Sequence, residues 1–472
     1  MTGGGGPGAI SMRIRVALLA LFVTAGASIL GSSVARADPD DGSSVPIGAF
    51  RWDGWFEGAR DQAILDSEAG ADRLPYFARR DAGGALRLDG DMDHVLAADV
   101  AYARGIGIDY FIFGHYPDTG SWNRDERYHL ALNRALSAYL RLPDRLGVRF
   151  AISLHQSFPA GDLPDIAEAV ATFVAHPDYM RTGSGAAPLF VYAMDETMWP
   201  RSTGTPTAAR ALFDRLRAIV AERTGVSLVL IVQDYDPVSG RRQAAMMGAD
   251  MVTSYTTFAP GPGGAVSFAA CADHARNRWR HAMALGVPSL PTLTLGWDSR
   301  PRARFDKPGP APKRAWCGPP DEDTLAALFH DAIAEAPTAS GGGPFESVVV
   351  YAWNEFTEGG WMAPTKAEGG SRMADLRAAI GREPDMPDVV LTFPVPLTID
   401  ACPIRSSGLP AETVVARCTS TPPHDAPWPC PAGTEPAGDR IRAAAGLEVR
   451  LWDGGWQERH CRSRASDKGA SH

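Results

Sequence analysis

Two glutamates three positions apart, Glu355 and Glu358, are the residues of this 472-residue chain best placed for acid–base chemistry. If the backbone turns helically between them, positions i and i+3 bring their Cβ atoms to about 5–6 Å. Two carboxyls that close repel one another, so the pair tends to hold one proton and its two pKa values separate. One protonated and one charged carboxyl is what hydrolysis of a glycosidic bond requires: the first protonates the departing oxygen and the second supplies charge or takes a proton. The apolar run Val348-Val349-Val350-Tyr351 reads as a strand that delivers Asn354 and Glu355 to its end. Gly359 and Gly360 then let the chain turn. The plainer reading has these glutamates capping a helix or pairing with arginines.

A strand of that kind needs neighbours. From residue 45 to about residue 382 one pattern recurs: a short apolar, β-branched or aromatic run, then an amphipathic stretch of helix length. It predicts strands at 46–52, 109–115, 149–155, 188–194, 227–233, 251–257, 289–296 and 347–353. Helices are predicted at 91–104, 125–142, 164–175, 206–223, 239–247, 271–285, 321–334 and 372–380. Pro164 opens one helix as a first-turn proline should, and Gly105, Gly225 and Gly286 are expected to cap others. Eight βα units predict a (β/α)8 TIM barrel. A doubly wound sheet would want a G-x-G-x-x-G after its first strand, which Gly54 and Gly58 do not supply, and no phosphate loop is present.

A barrel places its reactive groups where strands end. Those ends carry Trp52, Asp53 and Trp55; His115 and Tyr116; His155 and Gln156; Asp195 and Glu196; Gln233 and Asp234; Tyr255; Trp297 and Asp298; and Trp353, Asn354, Glu355 and Glu358. Indole and phenol faces stack on sugar rings, while amides, imidazoles and carboxylates hydrogen-bond hydroxyls, so these residues are expected to bind a glycan around the Glu355/Glu358 pair. A second candidate carboxyl pair is Asp195 or Glu196 with Asp298, after the fourth and seventh strands. His115, His155, Asp53 and Asp234 raise a metal reading, but no H-x-H or H-E-x-x-H occurs, so neither metal nor cofactor is expected. No G-x-S-x-G suggests a serine nucleophile. The loop after strand seven carries Arg300, Arg302, Arg304, Lys307, Lys313 and Arg314, read as a solvated loop or as a grip for an anionic polysaccharide.

The sum of 46 Lys+Arg and 55 Asp+Glu is −9, which argues against a nucleic-acid partner. Residues 1–37 read as a secretory signal peptide: Arg13 and Arg15, an apolar run from Val16 to Leu30, then Ala35-Arg36-Ala37. A secreted or periplasmic protein is expected, without a membrane span once the signal is removed, and acting as a monomer. Export makes the six cysteines disulfide candidates. Cys271 could pair with Cys317. Cys402, Cys418, Cys430 and Cys461 allow three connectivities. The barrel is expected over residues 38–385, and 386–472 should form a small cysteine-containing β-rich module with an unstructured tail from Ser463. Its Trp428, Trp452 and Trp456 could form a sugar platform or pack the module onto the barrel.

The segment Trp353-Asn354-Glu355-Phe356-Thr357-Glu358-Gly359 resembles the Trp-Asn-Glu-aromatic-x-Glu-Gly signature of family 99 glycoside hydrolases, the endo-α-1,2-mannosidases and endomannanases, which is shared by a related domain of bacterial polysaccharide-biosynthesis proteins. Gly296-Trp297-Asp298-Ser299-Arg300-Pro301-Arg302 resembles a segment of that related group, and Gly48 to Trp55 has the aromatic character of the family's first strand. The resemblance implies retaining hydrolysis of an α-linked, mannose-containing glycan without a metal. It makes Glu355 the base that draws a proton from the sugar 2-hydroxyl, giving a 1,2-anhydro sugar, and Glu358 the acid/base at the departing oxygen. The chain departs from the family at Met362-Ala363-Pro364, where the family carries Leu-Glu-Pro, and at Arg51-Trp52-Asp53, where the endomannosidases are tyrosine-rich. The resemblance therefore speaks to reaction class before sugar identity. Two other readings fit the same barrel: a non-catalytic glycan-binding protein, and a part in polysaccharide assembly.

Overall fold

The structure is a computed structural model that describes residues 45–81, 83–118, 128–155, 157–193, 196–302, 315–337, 343–396, 428–442 and 454–464. The expected signal peptide, Gln156, Asp195, Cys402, Cys418, Trp452 and the loop cations Arg304, Lys307, Lys313 and Arg314 lie outside the described residues.

Eight parallel strands form the barrel: β1 Ile47–Phe50, β2 Tyr110–His115, β3 Arg149–Leu154, β4 Ala187–Tyr192, β5 Leu228–Gln233, β6 Met251–Thr253, β7 in two pieces at Ser289–Leu290 and Thr292–Thr294, and β8 Val348–Tyr351. Each pairs with the next in order, and β1 pairs with β8 at Ile47↔Val348. Pro291, which has no N–H, splits β7. Its first piece pairs with β6 and its second with β8, so the ring closes through this strand. The strands are buried on both faces, as near-continuous apolar runs require. Phe50 of β1 meets Phe190 of β4 at 5.8 Å and Tyr255, just beyond β6, at 5.2 Å. Such contacts between strands that are not neighbours are made across the lumen.

The outer helices are α1 Asp93–Ile106, α2 Arg134–Arg141, α3 Leu163–Ala175, α4 Pro206–Thr224, α5 Pro237–Met247, α6 Phe268–Ala284, α7 Glu322–Glu335 and α8 Ser371–Ile380. Helix α1 packs on α2 and α8, and the sequence from α3 to α8 packs each helix on the next. Asp236 and Thr205 accept hydrogen bonds as N-caps ahead of first-turn prolines, which fixes where α5 and α4 begin. The Gly105 expectation is corrected. Helix α1 runs on to Ile106 and its left-handed cap is Gly107, at φ 86°. Gly105 is bare for a different reason: a Cβ there would meet the carbonyl oxygen of Ala432 at 2.8 Å.

That carbonyl belongs to the C-terminal segment, a three-stranded antiparallel sheet of β9 Val389–Pro396, β10 Thr434–Arg442 and β11 Gly454–Ser463, with β11 in the centre. Ser463, expected to begin an unstructured tail, ends β11. A Cys430–Cys461 disulfide links the approach to β10 with β11, and Cys271–Cys317 ties α6 to the chain after β7. Trp428 is buried and stacks on Phe393 at 4.9 Å, with Tyr76 edge-on at 4.8 Å. It therefore joins the sheet to the barrel and offers no platform to a sugar. Among the described residues no helix is long and apolar enough to cross a membrane.

Candidate active site

Beyond β8 the chain makes a tight ribbon. Asn354–Glu355 pairs antiparallel with Gly360–Trp361, around a 3-10 turn at Phe356–Glu358. Gly359 closes the turn at φ 84°. At Gly360 a Cβ would sit 2.2 Å from the ring of Tyr351, so glycine is what lets that ring lie against the ribbon.

The two glutamates are held differently. Glu355 is buried; its Oε1 accepts from the Tyr255 hydroxyl at 2.7 Å and its Oε2 is buried without a partner. Burial, reinforced by the negative charge of Glu358, pushes the Glu355 carboxyl well above the usual carboxylate range. Glu358 accepts from the Tyr351 hydroxyl at 2.7 Å and from the Arg302 guanidinium at 2.6 Å. The rings of Tyr255 and Tyr351 lie 5.1 Å apart, so the two carboxyls are held by the hydroxyls of adjoining phenols. Arg302 also lies 3.7 Å from buried Asp61 and over the Trp52 ring at 5.6 Å. Trp52 donates its indole N–H to Asp61 at 2.7 Å. Burial works against the charge on Arg302, but Glu358, Asp61 and Glu355 outweigh it and hold the guanidinium firmly protonated.

Asn354 ties the first strand to the eighth: its side-chain oxygen accepts from the Trp52 backbone N–H at 2.8 Å, and it also bonds Asp53. Asp53 accepts from Arg51 at 3.1 Å, and Arg51 reaches back to Asp99 of α1 at 2.9 Å. Burial raises the Asp53 carboxyl despite this cation. The Tyr116 hydroxyl and His155 Nδ1 share a hydrogen bond at 3.1 Å, and His155 stacks on Tyr192 at 4.7 Å. Burial holds the His155 imidazole down to about 3 and that of His115 down to about 4, so both are neutral at physiological pH. His115 packs on Phe173 of α3, on the helix side of β2. Trp297 is buried against Phe258 at 4.8 Å and Tyr351 at 6.1 Å.

The structure thus gathers Trp52, Asn354, Tyr255, Trp297, Tyr116 and His155 about the Glu355/Glu358 pair, and places other expected site residues elsewhere. Trp55 and Trp353 are core side chains, against Phe356 and Phe111. Asp234 accepts from Ser239 and Gln243 and from the Asp236 N–H, so its carboxylate holds the start of α5. Gln233 bonds Ser153 within the lumen. Glu196 pairs with Arg242 at the surface. Asp298 is saturated by Arg73 and Arg300; burial alone would raise its carboxyl, but these guanidiniums bring it below the ordinary value. Four groups went unremarked in sequence: Asp61, Tyr192, Tyr235 and Tyr351. Arg302 was read only as part of a loop. Among the described residues no three His, Cys, Asp or Glu side chains converge as a metal centre would need.

No protein-family model matches the chain, and no curated protein matches it in sequence. Among solved structures it is similar to one described as a glycoside hydrolase-like protein, at 12% identity and TM-score 0.46 over 72% of this chain and 94% of that one. It is also similar to the GH99 endo-α-mannosidase from Bacteroides thetaiotaomicron, at 12% identity and TM-score 0.44 over 71% and 95%. A GH113 β-1,4-mannanase aligns at 10% identity and TM-score 0.33 over 71% and 98%. Identities this low extend the likeness to neither a reaction nor a substrate.

Proposed function

We propose that this chain is an exported glycoside hydrolase that cleaves an α-linked glycan with Glu355 and Glu358 as its catalytic pair. The observation that carries this is the unlike holding of two carboxyls on adjoining tyrosines: Glu355 buried and driven toward its protonated form, Glu358 paired with a guanidinium. An acid and an anion side by side are the two halves of glycosidic hydrolysis. Trp52, Trp297, Tyr192, Tyr235 and His155 would offer ring faces and hydroxyls to the sugar. The disulfides fit an oxidising compartment.

The charges of the resting site favour Glu355 as the proton donor. Its proton goes to the departing oxygen as the anomeric C–O bond breaks. The sugar 2-hydroxyl attacks the anomeric carbon and its proton passes to Glu358, giving a 1,2-anhydro sugar. Water then opens that ring, losing a proton to Glu355 while Glu358 returns one to the 2-oxygen. Two displacements at one carbon retain its configuration. The axial 2-hydroxyl of a manno-configured sugar lies opposite an α-linked leaving group, which makes mannose-containing glycans the fitting class. The reverse assignment, implied by the resemblance to family 99, keeps Glu355 as base and Glu358 as donor; the greater exposure of Glu358, at 15% of its side chain against a buried Glu355, speaks for it.

An α-glycosyl fluoride separates the two, because fluoride departs without a proton. Glu355→Gln should lose cleavage of the glycan yet keep the first-turnover rate of fluoride release, and Glu358→Gln should lose both. The opposite pattern reverses the roles. Wild-type rates in both variants would end the hydrolytic reading.

A further inference from the structure

The ion pair that holds Glu358 comes from a segment that sequence reading leaves as a solvated loop or a grip for an anionic polysaccharide. Arg302 lies 56 positions before Glu358, past the end of β7, yet its side chain is only 18% exposed. Three groups grip it: Glu358 at 2.6 Å, Asp61 at 3.7 Å, and the face of Trp52. The grip is itself braced, since Trp52 donates to Asp61 and Asp61 sits buried on the short helix Arg60–Leu65. Asp61 Oδ1 has no hydrogen-bond partner of its own. A guanidinium fixed in this way is a permanent positive charge beside one carboxyl of a close pair and further from the other.

We propose that Arg302 is a positioning residue that decides which carboxyl of the pair carries the shared proton: by pairing with Glu358 it leaves that proton on Glu355. This rests on the hydrolase reading for its purpose, but its test does not. The remaining groups facing the pair cannot take over the task. Tyr255 and Tyr351 are buried phenols, Tyr192 and Tyr235 partly buried ones, and all four are held above their ordinary range, so they donate hydrogen bonds without titrating. His155 is neutral at physiological pH, and Asp61 adds a negative charge on the far side of Arg302. Among the described residues, Arg302 is the cation paired with either catalytic glutamate. Asp61 and Trp52 have the secondary part of keeping Arg302 aimed.

The test is a titration of the full chain labelled with ¹³C at glutamate carboxyls, the two signals being assigned with Glu355→Gln and Glu358→Gln. Arg302→Met should move the acid limb of the pair's titration upward by about 1–3 pH units, the span that an opposite charge within 4–6 Å commands. Arg302→Lys keeps a cation and should restore most of that shift, which a merely structural role would not do. Trp52→Leu is the neutral control that leaves the cation but loosens its seat; it should shift the titration in the same direction by less. If Arg302→Met folds and leaves both glutamate titrations where they stand in the wild type, the inference is wrong, even should the protein cleave glycans. If the titrations move as stated and no glycan is cleaved, the hydrolase reading fails while the inference stands. Should Arg302→Met not fold, the neutral Arg302→Gln takes its place, and glutamate titrations left at their wild-type positions in that variant would overturn the inference.

Discussion

The Cys271–Cys317 disulfide holds the rim where Trp297, Asp298 and Arg302 leave the barrel. It spans 46 residues, and Cys317 donates its backbone N–H to the Trp297 carbonyl at 2.8 Å, so the bridge staples the return of this loop against the end of β7. In the chain-entropy treatment, a 46-residue closure removes about 13–14 cal/mol/K from the unfolded ensemble, or about 4 kcal/mol at 25 °C. Replacing both cysteines, Cys271→Ala with Cys317→Ala, avoids leaving a lone thiol. The double variant should unfold in guanidinium with a free energy lower by about 4 kcal/mol and with a steeper slope, because the uncross-linked unfolded chain exposes more surface. The hydrolytic rate should fall as well, because Arg302 and Trp297 lose their tether. Unfolding within about 1 kcal/mol of the wild type would refute the reasoning, since it would mean that the 46-residue span is already constrained in the unfolded chain.

Three further outcomes are expected. Glu355 has a folded-state pKa raised above its ordinary 4.5, so its contribution to stability is fully present below pH 4.5 and is lost as the pH rises toward the folded value. Glu355→Gln, which mimics the protonated form, should therefore be more stable than the wild type at neutral pH and equal to it at low pH; thermal melts across pH check this. Gly105→Ala should destabilise, although alanine favours a helix interior by up to ~1 kcal/mol, because its methyl would strike the Ala432 carbonyl; a higher melting temperature would contradict the close approach. Trp428→Ala should cost about 3–5 kcal/mol and expose the C-terminal sheet to protease, since that indole joins Tyr76 and Phe393; an unchanged cleavage pattern would argue against the join.

The barrel was readable because its strands are unbroken apolar runs and its helices carry N-cap and proline signals at their starts. Boundaries moved where tertiary contact overrode local signals, as at Gly105, which serves a neighbour's carbonyl instead of a helix end. The position of the catalytic candidates was readable from the run ending at Glu355 and the turn to Glu358. What surrounds them was legible only in part. Trp353 and Trp55 share the composition of sugar-binding residues but point into the core, and alternation along a strand that bends at the rim does not reveal which way a side chain turns. Asp234 resembled a rim carboxylate, yet the Asp236-Pro237 pair two positions on marks a helix start that its side chain serves. Asp61 and the pairing of Arg302 with Glu358 escaped notice because they join residues 297 and 56 positions from Glu358, and no local pattern records a contact of that length. Tyr351 was counted as part of an apolar strand, although its hydroxyl at the strand's end holds the Glu358 carboxylate.

The most direct test is reducing-end release from a panel of α-linked glycans, mannose-containing ones included, with affinity measured in parallel for wild type, Glu355→Gln and Glu358→Gln. Cleavage by the wild type is expected, with both variants binding equally well and turning over at least ~100-fold more slowly, the lower end of what one acid or base contributes. A wild-type protein that binds these glycans and releases no reducing ends, or variants that keep its rate, would contradict catalysis by this pair.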